Sequence, residues 1–123
     1  MDQVRGWMSS PAVVAPETMT LPEARRLLQQ RGIRRVPGVD AGGQVGVIAA
    51  EGNIDKISAS HESDVRDYNM YHRVADLPLR DFMTRAVRTA APDMLIMEVA
   101  QILLEQRIGG VPVVENGQVV GMI

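Results

Sequence analysis

Ile108-Gly109-Gly110-Val111-Pro112-Val113-Val114-Glu115-Asn116-Gly117-Gln118-Val119-Val120-Gly121-Met122-Ile123 closes the chain, and 75 residues earlier the same phrase has already been written. Ile33 stands where Ile108 will stand, Val36-Pro37 where Val111-Pro112 will, and Val45-Gly46 and Ile48 where Val120-Gly121 and Ile123 will. Working outward at that offset, positions 4–48 run against 79–123 without a gap, and Trp7-Met8 answers Phe82-Met83. Two copies of a unit too small to bury its own apolar face close one core between them. The expected fold class is therefore α/β, built of two pseudo-twofold-related β-α-β-β repeats, with a ligand-sized cleft between them.

Within the first copy the order is strand, helix, hairpin. A short apolar strand at Ala12 to Ala15 precedes Thr20-Leu21-Pro22-Glu23, a capping box with proline in the first helical turn. The helix is predicted from about Leu21 to Arg31, with Leu21, Ala24, Leu27 and Leu28 on its apolar face and Gly32 at its end. Strands Arg35 to Asp40 and Gln44 to Ala50 follow. The second copy has the better hairpin signal, Asn116-Gly117, which tolerates the positive φ angles of a two-residue turn.

Its helix differs. Leu95 replaces the capping Thr20, so the terminus is expected to lean on Asp93. Beside the core face of Ile96, Val99, Ile102 and Leu103 runs a second apolar stripe, Met97, Ala100, Leu104 and Ile108, as a helix with two apolar neighbours requires. The same helix of a second subunit is the expected neighbour, giving a homodimer. The alternative is an internal contact with the connector, padded by methionine. The parts are expected at 1–53 for the first repeat, 54–78 for a partly helical connector, and 79–123 for the second repeat. In the connector Val65, Tyr68, Tyr71 and Ala75 are amphipathic, behind Ser63 or Asp64 as cap. The second repeat stops at Ile123 and is expected to be truncated before its C-terminal helix.

Bulk composition excludes several functions. The 123 residues are 46% apolar and 23% charged with net charge −2, which gives no basic field for nucleic acid. Without cysteine there is no disulfide, thiolate metal site or thiol nucleophile. No apolar run approaches the ~20 residues of a membrane span. The segment Met1 to Gly6 lacks the layout of a signal peptide, so the cytoplasm is the expected location. His61, Glu62, Asp64 and His72 carry metal-ligand chemistry, but a polar loop beside a helix cap accounts for them, and no metal site is expected. Trp7 is read as a buried anchor.

Together these features resemble a pair of CBS domains, the regulatory modules named after cystathionine β-synthase, of the kind found in stand-alone bacterial CBS-pair proteins and in those grouped with acetoin utilisation. The resemblance rests on Met8-Ser9, Pro16-Glu17, Leu21-Pro22-Glu23-Ala24, Ile33-Arg34-Arg35-Val36-Pro37, Asp40 and Val45-Gly46-Val47-Ile48. The second copy contributes Met83-Thr84, Pro92-Asp93, Glu98-Val99, Ile108-Gly109-Gly110-Val111-Pro112-Val113-Val114-Glu115 and Val120-Gly121-Met122-Ile123. It implies a binding module for an adenosine-containing nucleotide (AMP, ADP, ATP or S-adenosylmethionine), without catalysis and without a cofactor. Arg34 and Arg35 match the basic pair that holds phosphate in nucleotide-binding members, while Gly109 and Gly110 replace it in the second copy. Met8, Ser9, Ala12 and Val13, with Met83, Thr84, Val87 and Thr89, are the expected base-pocket residues.

Two departures oppose that reading. The family's ribose contacts fall on Ala49 and Gly52, neither of which accepts a hydrogen bond, although Glu51 or Asn53 would substitute after a one-residue shift. The alternative is a ligand-free dimerisation scaffold with degenerate sites. Gly38, opposite Val113, marks a close backbone approach by ligand, partner or neither.

Overall fold

A computed structural model describes residues 2–61, 76–81, 83, 85 and 87–123. The connector helix expected around Val65 to Ala75, with its caps Ser63 and Asp64, lies outside these residues, as do Phe82 and Thr84. The first repeat contains β1 (Ala15–Pro16), α1 (Leu21–Arg31), β2 (Arg35–Val39) and β3 (Val45–Ala50), and α2 (Glu51–His61) leads from its end into the connector. The second contains α3 (Ile96–Gln106), β4 (Pro112–Glu115) and β5 (Gln118–Met122).

Local chemistry explains the boundaries of α1. Thr20 Oγ1 accepts the Glu23 amide, a long bond of 3.5 Å, and proline occupies the first turn. Gly32 ends the helix in the left-handed region at φ 62. Leu21, Ala24 and Leu28 are buried and Leu27 packs beside them, as the periodicity requires. The Asn116-Gly117 turn takes the two positive φ angles (54 and 78) of a tight hairpin between β4 and β5.

β1 pairs parallel with β2, which pairs antiparallel with β3. Ala90 repeats this arrangement in parallel with Val113, at the offset of Ala15 from Gly38. Gly38 has a plain cause: a Cβ there would stand 2.5 Å from Val47 Cγ2 on the paired strand. The close approach is internal to the sheet.

Three local expectations change. The first strand is shorter than Ala12 to Ala15 and sits later, because only Ala15 and Pro16 meet β2. The end of α3 at which Leu95 stands as cap relies on Glu98, not Asp93: Glu98 Oε1 accepts the Leu95 amide at 3.2 Å. The polar start of the connector is already helix, because α2 begins at Glu51 and buries Ile54 in the first core. Arg25 and Asp55 pair at 3.3 Å across α1 and α2, half exposed and worth under about 1 kcal/mol.

The repeats are interlocked rather than stacked. Val4, in the first repeat, is fully buried with Ala90, Val99, Val111 and Val113 of the second. Leu79, its counterpart, is fully buried in the first core with Leu21, Val36, Val47 and Met83. The hydrogen bonds are reciprocal too. The Val4 amide donates to the Met94 carbonyl at 2.9 Å and the Leu79 amide to the Met19 carbonyl at 2.8 Å. Arg5 bonds to Pro92 as Arg80 bonds to Glu17. Ser9 exchanges both backbone bonds with Met122 (2.8 and 3.2 Å), so a single bridge ties the first repeat to the hairpin of the second.

Candidate functional site

Two clefts lie where the repeats meet, and much of their lining corresponds at the repeat offset. One, of about 470 Å3, is lined by Trp7, Ser9, Pro11, Ala12, Val13, Ile33, Arg34, Arg35, Gly109, Gly110, Met122 and Ile123. The other, of about 480 Å3, is lined by Val87, Arg88, Ile108, Gly109, Gly110, Pro112, Arg35 and Ile48, with Ala50, Asn53, Gln106 and Arg107. We call them the Trp7 cleft and the Arg107 cleft. Both volumes fall within the ~300–1,000 Å3 of small-molecule sites.

Arg35 belongs to both. Held on β2 and half-buried, it lays its guanidinium over Gly109, where any Cβ would collide with Nη2. This explains why glycines answer the arginine pair: the second repeat gives up side chains at Gly109 and Gly110 so that Arg35 can cross the axis. Arg34 is exposed and lines only the Trp7 cleft of the two. Both arginines also border a hollow with Glu51, Gly52, Asn53 and Asp55 at the start of α2.

Of the expected base-pocket residues, Ser9, Ala12 and Val13 line the Trp7 cleft and Val87 the Arg107 cleft. Met83 is instead buried in the first core and Met8 packs against the second, each just after the 3-10 turn (Leu79–Asp81 and Val4–Gly6) that buries Leu79 and Val4 in the same cores. Thr89 is exposed and lines neither cleft, and Thr84 lies outside the described residues. Ala49 is fully buried and Gly52 lies outside both clefts, whereas Asn53, one residue on, faces the Arg107 cleft. Trp7 is not a buried anchor. It is 64% exposed at the end of the 3-10 turn Val4–Gly6, because Val4 is the residue that turn buries.

Arg107 and Arg88 escaped the sequence reading. The alignment held the signal for both, since Arg107 falls on Gly32 and Arg88 on Val13. On α3, Met97 and Leu104 are 63% and 79% exposed, Ala100 is exposed, and Ile108 sits at the rim of the Arg107 cleft. Among the described residues no group of three or more metal-ligating side chains gathers, and no helix is long and apolar enough to cross a membrane.

The CBS domain family model matches residues 4–51 and 79–123, the two interlocked repeats. The chain belongs to the CBS domain family. This CBS pair superimposes with a TM-score of 0.83 on the CBS domain pair of protein MJ0100, solved with 5′-methylthioadenosine and S-adenosyl-L-methionine, at 27% identity over 100% of this chain and 89% of that one. A Vibrio cholerae protein assigned to acetoin utilization (AcuB) gives 0.78 and 28%, over 100% of this chain and 84% of that one. In sequence, the A-adding tRNA nucleotidyltransferase of Geobacter sulfurreducens is 27% identical over 94% of this CBS pair. The pair spans only 12% of that enzyme's length.

Proposed function

We propose that this CBS pair is a regulatory binding module without catalysis of its own, taking an adenosine-containing ligand such as AMP, ADP, ATP or S-adenosylmethionine in the clefts between its repeats. The observation that carries the reading is the guanidinium of Arg35, free of carboxylate partners among the described residues and shared by two ligand-sized hollows. An arginine fork binds phosphate bidentately and stays charged at every relevant pH. Ser9, Ala12, Val13 and Val87 supply walls for the base, and Asn53 replaces the missing ribose acceptor. The module comprises residues 1–53, a connector at 54–78 and residues 79–123, and works as a cytoplasmic homodimer through Met97, Ala100, Leu104 and Ile108. No nucleic-acid or membrane partner is called for.

A ligand-free dimerisation scaffold is the second reading, favoured by buried Ala49 and side-chain-less Gly52 at the ribose positions. Thermal unfolding against AMP, ADP, ATP and S-adenosylmethionine separates the two. A ligand at 100 times its dissociation constant adds about 2.7 kcal/mol of stability. A shift that the Arg34→Ala, Arg35→Ala double variant loses supports the sensor, and no shift with any of the four supports the scaffold. For the dimer, Leu104→Arg is expected to give a monomer in sedimentation, and an unchanged sedimentation coefficient rejects that interface.

A further inference from the structure

Where the linings of the two clefts correspond through the repeat offset, they can be compared position by position, and two of the differences add positive charge to one of them. Val13 in the Trp7 cleft corresponds to Arg88 in the Arg107 cleft. Arg107 adds a further guanidinium at the position that glycine fills in the first repeat. With Arg35, three arginines from three separate segments line one hollow, and among the described residues no carboxylate lines it. Glu51 and Asp55 line a separate hollow that shares Arg35, Ala50 and Asn53, and Asp55 is paired with Arg25 at 3.3 Å.

A second observation is independent of the charge count. Arg107 holds φ 53, in the left-handed region, where the equivalent Gly32 holds φ 62. A helix end that glycine would close without strain is closed instead by a long cationic side chain. Its amide bonds back to the last turn of α3 as Gly32 does to α1, so the backbone gains nothing from the exchange. Strain kept where a cleft begins points to a role in that cleft.

We propose that the Arg107 cleft is a polyphosphate-selective site, in which Arg35, Arg88 and Arg107 together grip two or more linked phosphates. The Trp7 cleft keeps Arg34 and Arg35 but has Val13 in place of Arg88 and no side chain in place of Arg107, and takes the ligand with fewer phosphates. Arg88 and Arg107 are thereby specificity residues of a site that ranks ligands by phosphate number. The inference takes its adenosine probes from the nucleotide reading above, but not its chemistry.

The test is calorimetric titration of the whole chain with ATP, AMP and inorganic tripolyphosphate, in the wild type, in Arg107→Gly, and in Arg88→Val combined with Arg107→Gly. The wild type is expected to bind ATP about tenfold or more tightly than AMP, and the double variant to bring the two within about threefold, since each charge-assisted contact to phosphate is lost separately. Arg107→Gly should unfold at the same temperature as the wild type or higher. Equal losses for ATP and AMP, or an undiminished ATP preference in the folded double variant, overturn the assignment. So does a lowered unfolding temperature of Arg107→Gly, which would make the left-handed arginine structural. If neither nucleotide binds but tripolyphosphate binds and the double variant loses it, the charge site stands and the adenosine reading falls. If nothing binds the wild type, both fall.

Discussion

The two repeats differ most where they face each other. The first sends a side chain, Arg35, across the pseudo-twofold axis; the second answers with Gly109 and Gly110 and makes room. A strictly symmetric pair would have placed two arginines in collision on the axis. Asymmetry at a few positions converts one repeated fold into two unlike clefts, one lined by Arg35, Arg88 and Arg107 and one by Arg34 and Arg35 beside the apolar Trp7, Val13 and Ile33. The fold therefore comes from what the repeats share, and ligand discrimination from where they depart.

The interlock offers the most severe way to break the comparison. Leu79→Ala removes a fully buried side chain from the first core and is expected to cost about 2–5 kcal/mol in denaturant unfolding. Val4→Ala, its mirror, removes fewer methyl groups and should cost less while unfolding the chain in the same single transition. Two separate transitions would show that the repeats fold as independent units. A smaller effect is expected at the paired glycines. A Cβ on Gly121 would lie 2.6 Å from the Ser9 carbonyl oxygen, and backbone cannot retreat. On Gly46 it would meet the tip of the Glu17 side chain, which can. Gly121→Ala should cost about 1–3 kcal/mol and Gly46→Ala clearly less, and equal costs would mean that the Ser9 backbone is not held against β5.

At the axis itself, Arg35→Ala should weaken ligand binding in both clefts, by about tenfold or more in each, as expected for a charged hydrogen bond worth ~1.5–3 kcal/mol. Arg34→Ala should weaken only the Trp7 cleft. A two-site titration reads the difference directly. Identical losses for both variants would remove Arg35 from its shared position.

Much of this was legible in the chain because its signals are local. Thr20, Pro22 and Gly32 bracket α1 by their chemistry, and Asn116-Gly117 dictates a hairpin turn. The duplication implied the pseudo-twofold arrangement and its clefts. The exchange of Val4 and Leu79 was not legible, since pairing between distant segments leaves no period in one sequence. Nor was α2, whose start, Glu51-Gly52-Asn53, is polar and whose Ile54 and Ile57 are too few to set a helical period. Arg107 was hidden differently: an arginine after a helix looks like ordinary surface charge until its φ angle is known. Setting it beside Gly32 would have raised the question.

The mildest contrast is at the helix starts, and there the repeats can be exchanged. Thr20 caps α1 through a bond near the limit of hydrogen-bonding distance, so Thr20→Ala should cost about 1 kcal/mol or less. Leu95 cannot accept a hydrogen bond, and that end of α3 depends on Glu98 returning to the Leu95 amide at 3.2 Å. Leu95→Thr would complete the capping box that Glu98 half forms and should stabilise by several tenths of a kcal/mol up to about 1. Leu95 is also half-buried, so the lost apolar contact works against the gain. A net loss of stability in Leu95→Thr would mean that the leucine is kept for packing against the N-terminal segment, where Gln3 pairs with it. In that case the second repeat trades a helix cap for its hold on the first.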